Sequence, residues 1–167
     1  TFILGWVVAL VQRGAAAMQR LNEVLTVEPA VADAPDATPV ENLRGEVEFR
    51  NVSFYYPNQE ETPALQSVSV HVPAGKTLGL VGPVGSGKTT LASLIPRLSG
   101  VGEGQVFIDG VDVNQIPLKQ LRSAIAMVPQ DPFLFSMSLA ENIAYGLPDV
   151  DRAAVSEAAR RAHLLSD

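Results

Sequence analysis

Apolar residues open the chain without interruption: residues 1–11, TFILGWVVALV, carry no charge. As a helix this run extends about 17 Å, roughly half of a bilayer core. Two readings fit a run of this length, the end of a membrane-crossing helix or a short helix buried in a soluble domain. Beyond it, Gln12, Arg13, Gln19, Arg20, Asn22 and Glu23 interleave with Ala15, Ala16, Ala17, Met18, Leu21, Val24 and Leu25, and only Gly14 weakens the helical pattern. Polarity that rises along one continuous helix favours the first reading, with Arg13 and Arg20 on the cytoplasmic side. Residues 1–25 are thus expected to form the end of a membrane or coupling helix.

The pattern then changes twice. Residues 26–44 hold Pro29, Pro35 and Pro39 among Ala, Asp and Glu, a mixture that interrupts helix and strand, and are expected to be a linker. From residue 45 a soluble domain begins. Val47, Phe49, Val52 and Phe54 are spaced like a half-buried strand with one irregularity, which Pro57 and Asn58 end. Leu65, Val68, Val70 and Val72 alternate with polar residues as a second strand, and Pro73 to Gly75 turn the chain. The short apolar run Thr77–Val81 predicts a third strand, buried on both faces of a sheet. A helix is expected over Thr89–Leu98, and another over Asp151–Leu165 with Asp149 or Asp151 as its cap.

Between the third strand and the first of these helices stands GPVGSGKT, Gly82 to Thr89. Gly, four residues, then Gly-Lys-Thr is the P-loop pattern, and a strand before it with a helix after it is the context that pattern requires. Gly82, Gly85 and Gly87 permit backbone angles and close approaches that a Cβ forbids, so successive N–H groups can face phosphate oxygens across Pro83, Val84 and Ser86. Lys88 is expected to reach the β- and γ-phosphates, and the Thr89 hydroxyl to ligate Mg²⁺. Thr90 is expected on the α-phosphate side. The bland alternative is a glycine-rich connection between strand and helix.

Charge narrows the partners. With 12 Lys+Arg against 18 Asp+Glu and a pI near 4.9, the chain offers no broad basic surface, and a nucleic-acid partner is not expected. There are no cysteines, so disulfides and Cys-based zinc sites are excluded. His71 and His163 both read as structural.

P-loops serve many chemistries, so the loop alone does not give the function. Further segments do: FYYP at Phe54–Pro57, GQVFIDG at Gly104–Gly110, VPQDPFLF at Val128–Phe135 and SMSLAENIAYG at Ser136–Gly146. Together with the loop they resemble the nucleotide-binding domain of ABC transporters of the exporter branch, over almost the whole chain. Residues 4–25 look like the last transmembrane helix and coupling region of multidrug-type half-transporters. The resemblance implies an α/β fold, a P-loop NTPase of ABC ATPase type: a mixed sheet, an antiparallel β subdomain and a partial helical subdomain, preceded by a helix and covering residues 45–167. It implies ATP and Mg²⁺ as ligands. Its partners would be the chain's own transmembrane domain and a second nucleotide-binding domain in a homo- or heterodimer, on the cytoplasmic side of the cell membrane. Tyr56 matches the aromatic residue that stacks on adenine, although Tyr55 is adjacent and only one can face the base. Gln130 matches the glutamine that approaches Mg²⁺ and the attacking water. Pro132–Gly146 matches the face that receives the coupling helices, though Phe133, Leu134, Phe135 and Leu139 taken alone would read as core.

Two segments imitate motifs of that family. VFID, Val106–Asp109, resembles a Walker B strand, but Gly110 stands where the catalytic Glu is required. RLSG, Arg97–Gly100, resembles a signature motif, but continues Val-Gly-Glu. The true signature, Walker B and switch histidine would lie beyond Asp167, so residues 1–167 alone are expected to bind ATP without hydrolysing it. A non-catalytic nucleotide-binding module is the alternative.

Overall fold

The computed structural model describes residues 2–57, 59 and 61–164, in two compact units, Thr1–Ala126 and Met127–Asp167.

In the first unit α1 runs unbroken over Phe2–Leu25, as the absence of breakers predicts. It exposes Trp6, Leu10, Val11, Leu21 and Val24 along its length. Among the described residues no helix is long and apolar enough to cross a membrane, because only the first half of α1 is free of charge. At its end Thr26 turns both its N–H and its hydroxyl onto the Asn22 carbonyl, 2.9 and 2.7 Å away. The proline-rich segment that follows is held to the domain from Ala32 onward. Asp33 Oδ1 accepts the Leu118 N–H at 2.6 Å, and Val40 exchanges two hydrogen bonds with the Gln120 amide.

Strands β1 (Val47–Phe54), β2 (Leu65–Val72), β3 (Val106–Ile108) and β4 (Val111–Asp112) form one antiparallel sheet in the order β2-β1-β3-β4. The irregularity in β1 has a physical cause. Phe49 and Val52 are an odd number of residues apart, so strict alternation would send one of them to solvent. Register shifts on either side of Val52, with Asn51 at φ 49°, return Phe49, Val52 and Phe54 to the same buried face. Helix α2 (Lys88–Leu94) lays Leu91 and Leu94 against that face, and Leu65, Val106, Ile108, Val113, Ile116 and Leu121 of helix α3 (Leu118–Ser123) complete the core. Helix α2 ends short of Leu98 because Pro96 has no N–H to continue the hydrogen-bond ladder, and Arg97 then takes a left-handed φ of 51°.

The expected third strand does not form. Thr77–Val81 is irregular and exposed, with Val81 at 99%. A strand requires a neighbour for its N–H and C=O groups, and among the described residues no strand lies beside it. The described sheet is accordingly antiparallel throughout, and an apolar cavity of about 200 Å³ lies between Val47, Phe49, Leu78, Leu80, Leu91 and Ile95.

Helices α4 (Leu139–Ile143) and α5 (Arg152–Arg161) make up the second unit. Ser138 and Glu141 form a reciprocal capping box on α4, and Asp151 caps α5 by accepting the Ala153 N–H at 2.9 Å. The helix expected over Asp151–Leu165 ends earlier, at Arg161, with Ala162 as its C-cap and His163 at a left-handed φ of 55°. Phe135 stacks on Tyr145 with ring centroids 4.3 Å apart, and Phe133 meets Phe135 edge-on at 5.0 Å. Asn142 fixes this turn, accepting the Phe135 N–H at 2.8 Å and donating to the Phe135 and Ser138 carbonyls. Phe133, Leu134 and Leu139 are exposed within the structure, so the reading of this cluster as core does not hold.

Candidate nucleotide site

The P-loop is built from the backbone angles its glycines allow. Gly85 and Gly87 adopt φ of 83° and 85°, a left-handed region that costs other residues about 1–2 kcal/mol each. Gly87 is also packed tightly. A Cβ there would lie 2.5 Å from the Ala64 carbonyl oxygen, at the entry to β2. Around Gly85 the chain folds back so that Ser86 N–H donates to the Pro83 carbonyl at 3.3 Å, while Val84 is fully exposed.

Lys88, the first residue of α2, reaches into the turn. Its Nζ donates to the Gly82 carbonyl at 2.8 Å, the Pro83 carbonyl at 2.7 Å and Ser86 Oγ at 3.3 Å. The ammonium is therefore held within the loop by three oxygens, all of them the loop's own. The neighbouring Thr89 is exposed and Thr90 is buried. Tyr56, just past the end of β1, joins the group: its hydroxyl lies 2.9 Å from Thr90 Oγ1, and its ring meets Phe54 edge-on at 5.0 Å. The first unit thus places Gly82, Pro83, Val84, Gly85, Ser86, Gly87, Lys88, Thr89, Thr90 and Tyr56 about the start of α2. Gln130 belongs to the second unit, in an exposed bend before Asp131 and Pro132.

This donor set fits a polyphosphate. An ammonium, glycines with left-handed backbones and the exposed Thr89 hydroxyl suit an oxyanion that carries several charges. For a divalent cation the loop offers the exposed hydroxyl of Thr89, while the Ser86 hydroxyl already accepts from Lys88. Among the described residues no group of three or more His, Cys, Asp or Glu could hold a metal. Mg²⁺, which keeps several waters and binds through substrate phosphates, suits so sparse a site.

The two imitating segments have structural tasks instead. Asp109 and Gly110 turn between β3 and β4 with φ of 51° and 80°, and the Asp109 carboxylate accepts N–H groups of Arg44, Gly45 and Glu46 at 2.6 to 3.1 Å. Partial desolvation raises its pKa, but those three amides and the Arg44 charge outweigh it and hold the group below the ordinary carboxylate value. Arg97 is buried and donates to the Ala32 carbonyl at 2.9 Å. Burial lowers its pKa, partly offset by Asp33 and Asp112. His71 meets Glu46 at 2.8 Å on the sheet, and His163 follows α5 at φ 55°.

Two contacts of the site were not legible in the sequence. Tyr56 and Thr90 are separated by 34 positions with no motif linking them, and the packing of Gly87 on Ala64 depends on where β2 begins.

Comparison with known proteins agrees with this geometry. The ABC transporter family profile matches residues 65–166. The chain is 39% identical over 156 residues to an ATP-dependent lipid A-core flippase of Desulfotalea psychrophila, covering 93% of the chain and 27% of the flippase. It is 43% identical over 155 residues to the flippase of the same name from Yersinia pestis, covering 92% and 26%. Among solved structures, a bacterial Atm1-family ABC exporter with ATP bound superposes with a TM-score of 0.86 at 36% identity, covering 97% of this chain and 28% of that one. The chain therefore spans about a quarter of the length of these three proteins. A P-loop fixed around its own lysine, an antiparallel sheet beside it, a family profile that matches most of the chain and an exporter structure that superposes on it lead to one assignment: the chain belongs to the ABC transporter family, with the ABC ATPase fold.

Proposed function

We propose that this chain is the ATP-binding part of an exporter that couples ATP binding and hydrolysis to movement of a substrate across a membrane. The observation that carries the proposal is the Lys88 ammonium, held by Gly82, Pro83 and Ser86 in a turn whose Gly85 and Gly87 have left-handed backbones. In this reading Lys88 exchanges main-chain carbonyls for β- and γ-phosphate oxygens. The loop amides orient the phosphates, and Thr90 holds the α-phosphate side. The Tyr56 ring takes the adenine, a stack worth about 1–3 kcal/mol by comparison with other base–aromatic pairs. Thr89 and Gln130 are the residues that would hold Mg²⁺, which neutralises charge on the phosphates when bound. Support comes from the neighbour solved with ATP and from relatives named as ATP-dependent flippases.

The same reading makes residues 1–25 the cytoplasmic end of a membrane helix, residues 26–44 the linker and residues 45–167 part of the nucleotide-binding domain. The partners are then the transmembrane domain of the same protein and a second nucleotide-binding domain, at the cytoplasmic face of the cell membrane. The exposed Trp6, Leu10 and Val11 of α1 support this, since an apolar helix face in water is unfavourable unless lipid or protein covers it.

The test is calorimetric titration of ATP with Mg²⁺ into the 167-residue chain and into Lys88→Ala. Loss of charge-assisted hydrogen bonds worth about 1.5–3 kcal/mol weakens affinity by roughly ten- to a hundredfold. Equal titrations, with both proteins folded by circular dichroism, would refute the proposal.

A further inference from the structure

The hydroxyl of Tyr56 has no task in stacking, yet it is the group that ties the end of β1 to the helix carrying Lys88. Tyr56 is 40% exposed while its partner Thr90 is only 7% exposed, so the bond runs from the accessible ring into the base of the loop. The ring is braced at two points, edge-on against the buried Phe54 and through oxygen to Thr90 Oγ1 at 2.9 Å. Each hydroxyl has one proton and can accept as well as donate. If Thr90 directs its proton to a phosphate oxygen, Oγ1 has lone pairs left for the proton of Tyr56. The order of donation is then fixed as Tyr56 to Thr90 to phosphate, and each bond in such a series polarises the next.

We infer that Tyr56 is a positioning residue for the phosphate end of the ligand as well as a platform for its base, acting through the hydroxyl of Thr90. The inference rests on the ATP-binding reading above. It separates from stacking because one atom distinguishes the two roles: phenylalanine keeps the ring and its contact with Phe54 but cannot donate to Thr90. It also separates from a merely structural bond, because a brace within the fold has no reason to sense a ligand that lacks a base.

The experiment therefore uses inorganic tripolyphosphate with Mg²⁺ beside ATP with Mg²⁺, titrated into the full 167-residue chain, Tyr56→Phe, Thr90→Val and the double variant. A lost hydrogen bond of ordinary strength predicts that Tyr56→Phe weakens both ligands by the same factor, about three- to tenfold. In the Thr90→Val background the same substitution has less than about a twofold effect, because the link is already cut. Thr90→Ser, which retains the hydroxyl, binds tripolyphosphate far better than Thr90→Val, and this pair decides the matter if Tyr56→Phe does not fold. Tripolyphosphate affinity unchanged in Tyr56→Phe, an undiminished effect in the Thr90→Val background, or equal binding by the Ser and Val variants overturns the inference while ATP binding by the parent stands. A parent chain that takes up neither ligand overturns the ATP-binding reading and the inference with it.

Discussion

Gly87 offers the sharpest test of how the loop is built, because two separate costs meet at one Cβ. It stands at the N-cap of α2 with φ 85°, and a Cβ added there would meet the Ala64 carbonyl oxygen at 2.5 Å and Leu65 Cδ2 at 2.7 Å. The left-handed backbone alone costs alanine about 1–2 kcal/mol. Forcing a methyl against a packed neighbour adds about 1–3 kcal/mol. Leu65 can rotate, but the Ala64 peptide cannot move freely, since its N–H donates to the Phe54 carbonyl at 2.8 Å and sets the first rung between β1 and β2. Gly87→Ala is thus predicted to lose about 2–5 kcal/mol. Gly85 has nearly the same φ, 83°, but open space where its Cβ would be, so Gly85→Ala should lose only the backbone cost of about 1–2 kcal/mol. Urea unfolding followed by circular dichroism reads both, and the midpoints should fall in the order parent, Gly85→Ala, Gly87→Ala. Equal losses would mean that the loop does not press on β2 as described.

Two further outcomes follow from the segments that imitate catalytic motifs. Asp109→Asn keeps the shape but turns an amide N–H₂ or a weaker acceptor toward the three backbone donors, and should cost about 1 kcal/mol at neutral pH given the partial exposure of the site. Because the folded pKa of Asp109 is depressed, its contribution is present above the unfolded value and lost as pH falls through the folded one. The gap between parent and variant in melting experiments should therefore close as pH drops below about 4, and a gap that persists in acid would contradict the assigned role. Residues 1–167 contain no apolar run ending Asp-Glu. Without a carboxylate to position Mg²⁺ and water, the chain should show no sustained phosphate release from ATP above that of Lys88→Ala. Steady, Lys88-dependent turnover would show that another group supplies that function.

What the sequence made legible was local. The strands Val47–Phe54 and Leu65–Val72, the unbroken α1, the Asp151 cap and the loop itself each announce themselves within a dozen residues, through alternation, capping chemistry or glycine spacing. Thr77–Val81 misled because an apolar run states only that burial is wanted, while a strand also requires a partner that the run does not encode. The β3–β4 turn has a local signal, Asp109-Gly110 between apolar residues, a strong hairpin pattern that overlaps the Walker B-like run VFID. The Tyr56–Thr90 bond was not within reach, because nothing in either residue's neighbourhood specifies a hydroxyl 34 positions away.

The central claim is that the amides of Gly82–Thr90 and the Lys88 ammonium together form a polyphosphate site. Nitrogen-15 NMR of the 167-residue chain tests it most directly, by following the loop amides as ATP with Mg²⁺ is added and comparing them with an equal addition of adenosine. The account predicts that the Gly85, Gly87, Lys88 and Thr89 amides shift together, saturate with one affinity and stay still with adenosine. Loop amides that do not move while resonances elsewhere titrate would contradict it.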